Sequence, residues 1–167
     1  MNNKELYVMV GCPGAGKDYW IEHHKNGFEG NVGIISRDKI RYSKLKEGEN
    51  YFSHEPEVFK DFCSQINESL IKNDVTIVNA THLNRPSRYK LFKNINCPAG
   101  TRRIAMVINT PLKTCLEQNA RREGLAKVPE DQLKNMFENL TIPSLEEGFD
   151  TVYIYSINGE REVYKII

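Results

Sequence analysis

The sequence has no apolar run approaching the roughly 20 residues that a membrane-spanning helix requires, and no spanning helix is expected. Its four cysteines, Cys12, Cys63, Cys97 and Cys115, are widely separated and form no C-x-x-C pair. That spacing argues against a zinc site or a disulfide framework and for reduced, mostly buried thiols. His23 and His24 are adjacent, so they lack the four-residue step of a helical metal pair. Neither sign of charge prevails: 23 basic side chains stand against 22 acidic ones, a net charge of +1. A polybasic nucleic-acid coat is thereby excluded, while a local basic cleft is not. Internal repeats, low-complexity tracts and long linkers are also missing. The short apolar run near the N-terminus leads straight into a glycine loop. It has neither the length of a signal peptide's apolar region nor a small-residue cleavage site after it. A soluble, cytoplasmic protein is expected, and 167 residues suit one domain spanning 1–167.

What is present is an alternation of short apolar runs with helical patterns, the signature of a parallel α/β sheet. The runs "LYVMV" (6–10), "VGIIS" (32–36), "VTIVNA" (75–80), "RIAMVI" (103–108) and "TVYIYS" (151–156) read as strands. Most are apolar nearly throughout, as strands covered on both faces are. The tail "EVYKII" (162–167) offers a small further strand. Helices are expected from residue 17, from Pro56 to Lys72, from Thr110 and Pro111 towards Gly124, and after Pro129. Their apolar stripes, Phe59, Cys63, Ile66 and Leu70 flanked by Val58 and Phe62, and Leu133, Met136, Phe137 and Leu140, are core positions. The polar segment 43–55 reads as a mobile loop, either a plain connection or a flap over a substrate.

Between the first strand and the first helix lies "GCPGAGK", which fits G-x-x-x-x-G-K from Gly11 to Lys17. In such a turn successive backbone N–H groups converge on phosphate oxygens, and the helix behind adds its positive end. Gly11, Cys12, Pro13, Gly14, Ala15 and Gly16 would form the cradle, and Lys17 would reach the β- and γ-phosphates. "SRDKIR" (36–41) follows the second strand. Strand C-terminal ends share one edge in a parallel sheet, so Asp38 is expected near the loop, where a carboxylate can accept a hydroxyl proton. Arg37 and Arg41 beside it could hold an anionic substrate or form a surface ion-pair cluster. "VNATHLNRPSR" (78–88) leaves the third strand at the same edge, and it would bring Thr81 and Arg88 to an acceptor phosphate. "NARREGLAKVP" (119–129) places Arg121 and Arg122 at a helix end with Lys127 beyond. Arginines there can stabilise transition-state charge or simply complement the helix terminus.

Taken in order, these four stretches resemble the polynucleotide 5′-hydroxyl kinases of phage and bacterial RNA repair. The resemblance covers most of the chain, and "EEGFDTVYIYSI" looks like the end of the bacterial kinase modules. It implies a P-loop NTPase/kinase fold with a five-stranded parallel sheet of order 2-3-1-4-5, flanked by helices and carrying an arginine-bearing lid. It implies ATP or another NTP as phosphoryl donor, Mg2+, and 5′-hydroxyl ends of RNA or DNA as acceptors. By the family pattern Lys17 binds the donor phosphates and Asp38 is the general base. Arg41 binds acceptor phosphate or positions the hydroxyl, and Thr81 lies near the acceptor. Arg122 is the lid arginine, with Arg121 its alternative. His82 stands where the family more often has Asn. The same stretches would serve a kinase of a small alcohol, nucleoside or nucleotide, or a nucleotide-binding switch without turnover.

One departure concerns metal. The position after the P-loop lysine usually carries a Ser or Thr hydroxyl for magnesium and holds Asp18 here, while Asn79 stands where a strand often ends in Asp. The exchange conserves the formal charge of the pair. Asp18 and Asn79 are therefore expected to share a magnesium site, the bland alternative being an Asp18 that only caps the helix.

Overall fold

The computed structural model describes residues 3–167; Met1 and Asn2, at the start of the expected 1–167 span, lie outside it. One six-stranded sheet runs through the molecule. Its strands are β1 (Glu5–Val10), β2 (Val32–Ser36), β3 (Val75–Asn79), β4 (Arg102–Ile108), β5 (Thr151–Asn158) and β6 (Arg161–Ile166), in spatial order β2-β3-β1-β4-β5-β6. The first five pair in parallel and carry the expected 2-3-1-4-5 order; β6 adds the small tail strand, antiparallel to β5.

Alternation along the strands divides the core in two. Leu6, Val8 and Val10 of β1 face one side, where they meet Val58, Phe62, Ile66 and Leu70 of α3 (Glu55–Lys72) and Leu91 of α4 (Arg85–Asn94). Met9 faces the other side, with Trp20 and Ile21 of α1 (Lys17–His24), Cys115 of α5 (Leu112–Ala120) and Leu133 of α6 (Glu130–Glu138). The strands are apolar on both faces because helices cover both. Each fully buried aromatic or aliphatic side chain contributes about 1.5–3 kcal/mol by leaving water. Among the described residues no helix is long and apolar enough to cross a membrane.

Two helices were not expected from apolar spacing. In α2 (Arg37–Lys44) only Ile40 and Arg41 are buried, and in α4 only Arg88 and Leu91 are. An inward-facing arginine breaks the apolar stripe by which a helix is recognised. Helix α2 takes the first two residues of the expected 43–55 loop, and α3 begins at its last. The connection between them is folded back onto α2 by Tyr51, as described next.

Candidate phosphoryl-transfer site

The P-loop is built by steric exclusion. Gly14 and Gly16 adopt φ of 77° and 100°, which disfavours any side chain. At Gly14 a Cβ would also meet the Cys115 carbonyl at 2.5 Å. Two contacts tie the loop to neighbouring elements: Gly11 N–H donates to Thr81 O at 3.0 Å, and Thr110 Oγ1 donates to Ala15 O at 2.6 Å. Thr110, expected with Pro111 to open a helix, stands just before the helix Leu112–Ala120, and its hydroxyl also holds the loop. Cys12, Pro13 and Ala15 are buried within the turn. Lys17 Nζ folds over its own loop and donates to the carbonyls of Gly11 and Cys12, each at 2.9 Å. Desolvation pushes the Lys17 pKa down to about 8, and the Arg122 charge pushes in the same direction against Asp18 and Asp38.

Asp38 stands in the first turn of α2, whose start is capped by Ser36 Oγ accepting from Lys39 N–H at 3.3 Å. Its Oδ1 accepts from Arg41 Nη1 at 2.5 Å and from Tyr51 OH at 2.6 Å; Oδ2 has no protein partner among the described residues. Burial and the Asp38 carboxylate push the Tyr51 phenol up, so it stays a donor. Tyr51 also stacks under the Arg41 guanidinium, 4.0 Å from the ring centre. Through this contact the connecting loop packs against Asp38 and Arg41. Tyr51 itself carried no signal in the sequence, since one tyrosine in a polar loop has no periodicity to mark it.

Arg37 and Arg41 share Glu55, so much of their charge is matched inside the protein. Arg41 is buried, and its pKa is raised: burial opposes the charge, but Glu55, Tyr51 and Asp38 outweigh it. Arg37 lies over Phe59 and Phe62, at 5.2 and 5.8 Å from their ring centres.

At the end of β3, Asn79 Nδ2 donates to Asp18 Oδ1 at 2.5 Å, joining the two positions whose residue types are exchanged. Asp18 makes no helix cap; the cap position is Gly16. Its other oxygen has no protein partner among the described residues, which suits a cation held mostly by phosphate and water. Thr81 follows, half-buried, and then His82, 5% exposed with φ of 43°. His82 Nδ1 donates to Met9 O at 2.7 Å, while its Nε2 is buried without a partner among the described residues. Burial, joined by Arg37, Lys17 and Arg88, pushes its pKa down to about 4 despite the Met9 bond.

Arg88 corrects the sequence reading. It is 1% exposed and faces inward. All five of its N–H donors are taken: by both oxygens of Glu147, by His82 O, and by Thr141 O and Oγ1. It clamps the β3–α4 connection to the segment before β5 and has no donor left for a substrate.

The lid segment leaves α5 and passes through a short 3-10 turn at Gly124–Ala126. Buried Asn119 staples its two ends, Nδ2 donating to Val128 O at 2.7 Å and Oδ1 accepting from Val128 N–H at 3.0 Å. Arg122 is half-buried, donates to Ala126 O at 3.4 Å, and acts electrostatically on Lys17; Arg121 and Lys127 are exposed. Asn119 opened the arginine motif but its role as staple needed the structure to be seen.

The fold is shared with known proteins. The chain is 27% identical over 153 residues to the L-seryl-tRNA(Sec) kinase of Methanococcus maripaludis, covering 87% of this chain and 56% of that protein. It therefore spans little more than half of that relative's length. Among solved structures it is similar to a chain of the Pnkp1/Rnl/Hen1 RNA repair complex, with TM-score 0.68 and 17% identity over 88% of this chain and 46% of the other. A fungal RNA kinase gives TM-score 0.64 and 15% identity, covering 92% and 38%. A gluconokinase from Sinorhizobium meliloti 1021 gives 0.54 and 20%, covering 91% and 83%. These likenesses match the resemblance drawn from the motifs and establish a P-loop kinase fold with a nucleotide-binding P-loop. A family model described as an AAA domain matches residues 6–143, and by that match, over well more than half its length, the chain belongs to the AAA domain family.

Proposed function

We propose that this chain is an ATP-dependent kinase that transfers the γ-phosphoryl group to a 5′-hydroxyl end of RNA or DNA. The observation that carries this reading is Asp38: one carboxylate oxygen is fixed by Arg41 and Tyr51 and the other is open, on the same sheet edge as Lys17. An acceptor hydroxyl facing the open oxygen gives up its proton there as its oxygen attacks the γ-phosphorus. The bond to the β-phosphate oxygen breaks, and ADP and a 5′-phosphate result. Lys17 and the amides of the loop from Gly11 to Gly16 hold the donor phosphates. Arg122 offsets charge developing on the transferred group, in preference to exposed Arg121. Arg41 orients Asp38, and Arg37 and Thr81 border the acceptor.

Asp18, steadied by Asn79, would hold a magnesium ion, which neutralises phosphate charge when bound. Acceptors borne on RNA are supported by the relatives: a seryl-tRNA kinase, a fungal RNA kinase and a member of an RNA repair complex. The gluconokinase likeness supports a second reading, a kinase of a small alcohol. Labelled ATP offered with 5′-hydroxyl RNA, 5′-hydroxyl DNA, nucleosides, 3′-mononucleotides and sugars tests both. Transfer to oligonucleotide ends that falls about 10²–10⁴-fold in Asp38→Asn, with KM little changed, is expected. Transfer only to a small alcohol would replace the first reading by the second.

A further inference from the structure

The inward turn of Arg88 leaves the opposite face of α4 unexplained. That helix, "RPSRYKLFKN", contains no acidic residue. Arg85, Tyr89 and Lys93 recur at four-residue steps, with Lys90 beside them, and all four are exposed, Tyr89 at 61%. None of the three cations forms an ion pair among the described residues. Three acids of adjoining segments are already engaged: Glu147 by Arg88, Glu55 by Arg37 and Arg41, and Asp61 by Lys44. A molecule of net charge +1 thus gathers exposed cations on one acid-free helix, of which only Arg85 acts, at longer range, on Glu147.

This face is continuous with the Asp38 site. Lys90 Nζ lies 4.4 Å from the centre of the Phe59 ring, and Arg37 lies over the same ring at 5.2 Å. Lys93 Nζ in turn lies over the Tyr89 ring, 5.3 Å from its centre, so an exposed aromatic ring and a cation stand side by side. A stripe of phosphate-binding charges around a stacking ring is how single strands are held without sequence preference.

We propose that the exposed face of α4 is the track for single-stranded nucleic acid on the 3′ side of the accepting end, with Tyr89 stacking a base and Arg85, Lys90 and Lys93 meeting phosphates. The inference rests on the polynucleotide kinase reading for its direction along the strand, but its binding surface is tested independently. Ten residues of α4 span about 15 Å, enough for two or three nucleotides beyond the first.

Two measurements separate the inference from the reading beneath it. Binding of a fluorescent 5′-hydroxyl single strand is followed against salt in the intact protein, in Tyr89→Ala and in the triple variant Arg85→Ala/Lys90→Ala/Lys93→Ala. The triple variant is expected to flatten the slope of log affinity against log salt by about 2, at roughly 0.7 per phosphate contact. Tyr89→Ala is expected to weaken binding roughly tenfold. Transfer to the same strand and to a 3′-mononucleotide is then compared: kcat/KM should fall in the variants for the strand only. Unchanged salt slope and strand affinity in variants that melt like the parent would overturn the track. So would equal binding of an acidic peptide of matched charge. Strand binding that depends on α4 without any phosphoryl transfer would leave the track standing and bring down the kinase reading.

Discussion

Asp18 replaces a hydroxyl with a carboxylate, and the compensation lies 61 residues further on, where Asn79 donates to it. The pair should behave as one unit. Asp18→Ser is expected to lower magnesium-dependent turnover, and Asn79→Asp added to it should restore part of the loss, because the double variant recovers the usual distribution of charge. Magnesium titrations of the four proteins in a double-mutant cycle measure the coupling; strictly additive losses would separate the two positions. Lys17 carries a second prediction. Desolvation brings its pKa down to about 8. Triphosphate needs the ammonium form, so nucleotide affinity should fall as pH rises through about 8. In Lys17→Arg, whose guanidinium keeps its proton, the affinity should stay level. Dissociation constants measured on both sides of that pH decide it, and a wild-type affinity without pH dependence counts against the contact.

At the scale of elements, the connection from β3 to α4 is held by a buried arginine rather than by apolar packing. Burial works to raise the Glu147 pKa, but the hydrogen bonds from Arg88 and Ser144 N–H bring it below the usual carboxylate value. Arg88→Ala strips Glu147, His82 O and Thr141 of their donor at once. The expected cost is about 3–5 kcal/mol, as for a buried pair broken on one side. Glu147→Gln keeps the shape and one acceptor and should cost less. Denaturant unfolding of both variants ranks them; small and equal losses would mean the clamp relaxes into water. Asn119 plays a similar part for the lid, closing a loop whose own residues are mostly exposed.

For the whole molecule, His82 makes stability depend on acid. The unfolded imidazole takes up its proton below about pH 6.5, whereas the folded one stays neutral down to about 4. Across that window the unfolded state binds more protons, so stability is lost as pH falls through it, by up to about 3 kcal/mol. Asparagine accepts the positive φ of this position and does not titrate. The drop in Tm between about pH 7.5 and about pH 5 should therefore be smaller in His82→Asn than in the parent. Equal drops would place the acid-sensitive group elsewhere.

The sequence by itself determined what local chemistry dictates. The glycine pattern from Gly11 to Gly16, the apolar strands covered on both faces, and the order of the polar stretches at strand ends led to the sheet and to the placing of Lys17, Asp38 and Asn79. Parallel pairing puts every strand's C-terminal end on one edge, so residues distant in the chain could be gathered from one dimension. Side-chain direction was decided only by tertiary structure. Arg88 and Arg85 look alike in "NRPSR", yet helix phase and the waiting Glu147 turn one inward and leave the other in solvent. Tyr51 reaches Asp38 because the chain after α2 folds back over its own helix, a contact made by packing rather than by pattern. Long polar side chains have many rotamers of similar energy, and only the partners that the fold supplies select among them.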